Sequence, residues 1–187
     1  KIGIDTVVLI RSGYQNKCVF PSTSIPGLLP VHDDLGRMFL DLAEEYGLSL
    51  YWGLYDSGTY WLRQSWWREV DLNKAFIDEV AQRYGSSPAF KGWYMCHEAP
   101  RNDLHIIEIF NELGRHCKSR LDLPVLISPY PMGSKQFGPG DTFTLDETFE
   151  HWERIFADTK GAFDICAFQD GQIQYSELPE FHAGIKA

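Results

Sequence analysis

The stretch KGWYMCHEAPRN, Lys91 to Asn102, delivers His97 and Glu98 side by side directly after the apolar run Gly92-Trp93-Tyr94-Met95-Cys96. A carboxyl group packed among aromatic side chains is poorly hydrated, which favours its protonated form and suits a general acid near neutral pH. Glu98 is therefore a candidate proton donor, with His97 placed to hydrogen-bond or tune it. The competing reading of Glu98 is a surface carboxylate paired with Arg101. A second acid, Asp170, follows Phe168-Gln169 in the same manner. A carboxylate there can activate water, act as a nucleophile or hold a hydroxyl group. The alternative is an Asp-Gly turn set by backbone preference alone.

Further polar residues follow other β-rich runs: Arg11, then Tyr55 and Asp56, then Ser128 and Tyr130, then Gln169. Arg11 and Asp56 can bind a substrate or pair with each other at a rim. No GxSxG elbow surrounds Ser128, so a serine nucleophile is disfavoured. The six histidines form no HExxH pattern, the four cysteines no zinc spacing, and no metal or other cofactor is expected. Cys18, Cys96, Cys117 and Cys166 read as free, mostly buried thiols.

The richest loop candidate is YWGLYDSGTYWLRQSWW, Tyr51 to Trp67. Its rings exceed what one helix–sheet core holds comfortably, so some should meet a ligand. Trp52 is expected to face a barrel interior; Trp61, Trp66 and Trp67 are the candidate platforms. Sugars present apolar C–H faces and hydroxyl edges, which suit aromatic platforms flanked by Asp, Arg and Gln. The same rings also suit protein interfaces.

These residues need a scaffold, and the chain alternates strand-like and helix-like periodicities. Strands are expected from Ile4, Leu48, Lys91, Leu123 and Phe163. Helical stripes are expected after Asp34 up to Gly47, from a cap at Asp71 up to Gly85, after Asp103, and from Leu145 to Phe156. Parallel neighbours are reached only through crossovers, so this grammar implies an α/β fold with a parallel sheet. An incomplete (β/α)8 TIM-type barrel with about five βα units is favoured over a five-stranded doubly wound sheet, which usually carries a glycine-rich phosphate turn absent here. The 187 residues are expected to form one domain.

A net charge of −9 argues against nucleic acid or an anionic membrane surface as partner. No run approaches the length of a membrane span. Oligomeric state is not legible.

In IDTVVLIRSGY, PAFKGWYMCHE, LPVLISPY and FDICAFQDG, in that order and spacing, the chain resembles bacterial glycosidase-like (β/α)8 barrels catalogued as a domain of unknown function (DUF4434). The resemblance implies a glycoside hydrolase and a periplasmic or secreted bacterial protein. It makes the Ile4 strand the second of eight, so that Glu98 ends the fourth and Asp170 the sixth. Large retaining glycosidase clans place their acid/base Glu at the fourth strand, where His97 replaces the usual Asn, and a nucleophile at the seventh, which would lie beyond Ala187. The rival expectation is a barrel that binds carbohydrate or acts as a scaffold without catalysis.

Overall fold

The computed structural model describes residues 3–98, 105–135 and 142–185. Elements appear in the order β1 (Thr6–Leu9), β2 (Gly13–Tyr14), β3 (Lys17–Cys18), α1 (Leu35–Tyr46), β4 (Ser49–Gly53), β5 (Tyr55–Asp56), α2 (Trp66–Tyr84), β6 (Phe90–Met95), α3 (Ile106–Arg120), β7 (Val125–Ile127), α4 (Leu145–Asp158), β8 (Ile165–Cys166) and α5 (Leu178–Gly184).

The main sheet runs β1-β4-β6-β7-β8, and each adjacent pair is parallel. Spatial order therefore follows chain order without reversal. A doubly wound sheet reverses its strand order at a switch point, so that alternative is excluded, and the architecture is an open segment of a TIM-type barrel. Because the strands are parallel, their carboxyl ends line one edge of the sheet. A smaller sheet, β3-β2-β5, caps that edge near β1 and β4.

The helices form where the sequence supplies stripes and stops. Asp34 caps α1 by accepting from the Arg37 amide at 2.8 Å, and Gly47 ends it in the left-handed conformation at φ 66°. Thr144 and Glu147 form a reciprocal capping box at the start of α4. Helix α2 departs from expectation. It begins at Trp66, after Ser65, rather than near Asp71, and so draws Trp66, Trp67 and Glu69 out of the anticipated loop.

The core lies between sheet and helices. Trp52 is fully buried there, stacked on Tyr84 of α2 at 4.8 Å and close to Phe20 and Phe90. Gly36 of α1 leaves room for its ring, since a Cβ at that position would collide with the indole. Phe76, Ile77 and Val80 of α2 and Ile109, Phe110 and Leu113 of α3 extend the same layer. Removing a large side chain such as Leu40 of α1 from this layer should cost about 2–5 kcal/mol through lost burial and an unfilled cavity.

Candidate active site

Three strand ends are tied together at the carboxyl edge. Arg11 follows β1, Asp56 ends β5, and His97 and Glu98 follow β6. The small sheet fixes the first two: Gln15 N donates to the Asp56 carbonyl at 2.9 Å, and the Tyr55 hydroxyl donates to the Gln15 carbonyl at 2.8 Å.

Asp56 is buried, and both of its oxygens are engaged. Oδ2 accepts from Arg11 Nε at 2.8 Å, while Oδ1 accepts from Trp61 Nε1 at 2.9 Å and from the Gly58 amide at 2.7 Å. Asp56 is thus an anchor, and Arg11, one-third exposed, keeps guanidinium N–H groups beyond the Nε that bonds Asp56. Burial disfavours the Arg11 charge, but Cys96, Asp56 and Glu98 together outweigh it and raise its pKa above the ordinary value. Arg11 therefore feels both Asp56 and Glu98.

Arg11, Tyr14, Asp56, Gly58, Trp61 and Leu62 line a cavity of about 470 Å³. One wall is charged, and the Leu62 and Tyr14 side adds apolar surface. Behind Trp61, its ring edge-on at 5.5 Å, lies His97. Glu98 is half-buried, and the Tyr94 hydroxyl reaches its Oε1 at 3.5 Å, the long end of hydrogen bonding. Burial of Tyr94 and the nearby Glu98 charge push the phenol up to about 12, against an opposing hydrogen bond with Ser128, so it stays a neutral donor.

A residue that the sequence reading missed completes this wiring. Glu69, in the first turn of α2, is fully buried. Its Oε1 accepts from Ser57 N at 3.1 Å and Asn73 Nδ2 at 3.2 Å, and lies 3.2 Å from His97 Nε2. Asn73 also bonds both the amide and the carbonyl of Tyr55. A signal existed: Glu69 and Asn73, four apart, continue the inward stripe of Phe76, Val80 and Tyr84 toward the helix start with polar residues.

The other expected site residues are spread wider. Trp66 is half-buried and stacks on His105 at 5.4 Å, while Trp67 is half exposed. Trp61 is buried as a cavity wall rather than an open platform. Trp52 faces the helices instead of a barrel interior, and its Nε1 is bound to Ser12 Oγ, so it cannot touch a ligand. Ser128 connects to Tyr94 through its hydroxyl and to Gln169 Nε2 through its carbonyl at 2.7 Å. Tyr130 is half-buried after β7. Asp170 opens a short 3-10 turn and pairs with His182 of α5 at 2.9 Å, both side chains about half exposed. Arg101 and Asp103 lie outside the described residues.

The four cysteines are free. Among the described residues no group of three or more His, Cys, Asp or Glu is placed to hold a metal ion, and no helix is long and apolar enough to cross a membrane.

Comparison with known proteins adds two findings. A solved crystal structure described as a "putative alpha-L-fucosidase" from Bacteroides thetaiotaomicron VPI-5482 is similar to this chain, with 40% sequence identity and a TM-score of 0.92. The match covers 98% of this chain and 58% of that one, so this chain spans little more than half its length. No curated protein matches. The family model described as Domain of unknown function (DUF4434) matches residues 1–187, and the chain belongs to that family.

Proposed function

We infer that this member of the family is the site-bearing part of a glycoside hydrolase, with Glu98 as general acid/base. The observation that carries this reading is that Arg11, Asp56 and Trp61 line one cavity at the carboxyl edge, with His97 packed behind Trp61 and the charge of Glu98 felt by Arg11. The 40% identity to the structure described as a "putative alpha-L-fucosidase" supports the same class.

In this reading Glu98 protonates the leaving glycosidic oxygen, and Tyr94, a neutral donor, steadies the carboxylate that results. Arg11 meets substrate hydroxyls with the guanidinium N–H groups that Asp56 does not use. Leu62, Tyr14 and Trp61 receive the C–H face of a ring. Trp66 and Trp67 extend the aromatic surface toward neighbouring sugar units, and Ser128, Tyr130 and Gln169 line the rim beyond Tyr94. Asp170, paired with His182, is assigned an outer binding role and no proton transfer.

The neighbour's description makes α-L-fucosides the first substrates to try. A panel of 4-nitrophenyl glycosides, the α-L-fucoside included, tests the reading on the full-length protein. Wild type should cleave at least one, and Glu98→Gln should lose roughly 100-fold or more in kcat, the scale of general-acid catalysis. Sugar binding that persists in both proteins with no hydrolysis in either would establish a binding barrel instead.

A further inference from the structure

We propose that Glu69 is the positioning residue of this site: its carboxylate fixes the ring of His97 and locks the segments carrying Asp56 and Glu98 at a set separation. The inference rests on the hydrolase reading for its consequence, but its structural content is independent of it.

Glu69 Oε1 already accepts two N–H donors, from Ser57 and Asn73, and so faces His97 as an acceptor. The contact with His97 Nε2 at 3.2 Å can then be a hydrogen bond only if Nε2 donates. His97 Nδ1 is buried with no partner among the described residues, and a proton there would be a donor without an acceptor among them. The geometry therefore selects the Nε2–H tautomer. Ser57 directly follows Asp56, and His97 directly precedes Glu98. One buried carboxylate on α2 thus ties Ser57, after β5, to His97, after β6, beyond the contacts that Cys96 Sγ makes with the Leu54 and Tyr55 carbonyls one step earlier on the same two segments.

A merely structural acid at this place would affect folding but not the tautomer or kcat selectively. Rim geometry matters because a displacement of about 1 Å in an active site can cost on the order of 100-fold in rate.

The test uses the full-length protein as wild type, Glu69→Gln, Glu69→Leu and Glu69→Asp. Nitrogen-15 NMR of the imidazole rings, with His97 assigned by its loss in His97→Asn, reports the tautomer. Hydrolysis of the aryl glycosides above reports kcat and KM. Gln keeps the acceptor oxygen and should retain the Nε2–H tautomer, with kcat within a few-fold of wild type. Leu, which has no acceptor, should mix the tautomers and lose roughly 100-fold in kcat with little change in KM. Asp, with a shorter reach, should behave like Leu and serves in its place if Leu does not fold. An unchanged His97 ring in Leu or Asp, or an unchanged kcat, overturns the proposal. A wild type that cleaves no glycoside while its ring responds as expected overturns the hydrolase reading and leaves the Glu69–His97 coupling standing.

Discussion

Two acids follow aromatic strands in this chain, and the fold treats them differently. Around Glu98, the ends of β1, β5 and β6 are joined by buried and partly buried groups: Arg11 to Asp56, Asp56 to Trp61, Glu69 to Ser57 and His97. Around Asp170, the end of β8 carries a 3-10 turn and a half-exposed pair with His182. The difference is one of solvent. Charges fixed in a buried, hydrogen-bonded frame act on a ligand with little screening, whereas an exposed pair is worth little and moves easily. An acid at a strand end becomes a plausible chemical group only when neighbouring elements enclose it.

The strongest way to break this contrast is to remove the anchor of the enclosed side. Asp56→Ala leaves Arg11 partly buried without its partner and the Trp61 N–H without an acceptor. It should cost about 2–3 kcal/mol, discounted from a fully buried pair because Arg11 is one-third exposed, as read by urea denaturation.

A smaller effect sharpens the contrast away from the cavity. Glu79 of α2 accepts from Ser22 Oγ at 2.6 Å and from the amides of Thr23 and Ser24, and pairs with Arg83. Burial alone would push its carboxyl up, but these hydrogen bonds prevail and hold it at about 2, below the ordinary 4.5. A lowered folded value means that its contribution is fully present above about pH 4.5 and is lost as pH falls toward 2. Glu79→Gln should cost about 1 kcal/mol at neutral pH and flatten the fall of Tm over that acid window, measured by calorimetry across pH. An equally steep fall in the variant would remove Glu79 from the account.

The smallest effect is expected on the exposed side. Asp170→Asn should change stability by less than about 0.5 kcal/mol, because its pair with His182 is solvated. A loss well above that would show the β8 end to be built like the β6 end.

Much of the scaffold was legible in the sequence, because the period of apolar residues separates strand from helix and Asp34 and Gly47 mark a helix's ends plainly. Glu98 and the Arg11–Asp56 pair were visible as polar residues after apolar runs. Three things were not. Trp52 was placed on the wrong side of the sheet because a parallel strand is apolar on both faces, so its parity does not say which face meets the helices. The start of α2 was missed because Asp71 is a good cap residue and two tryptophans resemble an exposed loop; the helix begins earlier because the buried stripe continues through Val70. Glu69 was hidden by the same error, since its role depends on a partner 28 residues away. The inward stripe marks Glu69 as buried, but nothing local in the sequence names the partner that it holds.

The central claim is that chemistry belongs to the enclosed edge, and one paired measurement tests it most directly. Glu98→Gln and Asp170→Asn are assayed together on the aryl glycoside that wild type cleaves. The account predicts a loss of roughly 100-fold or more in kcat for Glu98→Gln and a change of no more than a few-fold for Asp170→Asn. Equal losses in both, or the greater loss in Asp170→Asn, would contradict it.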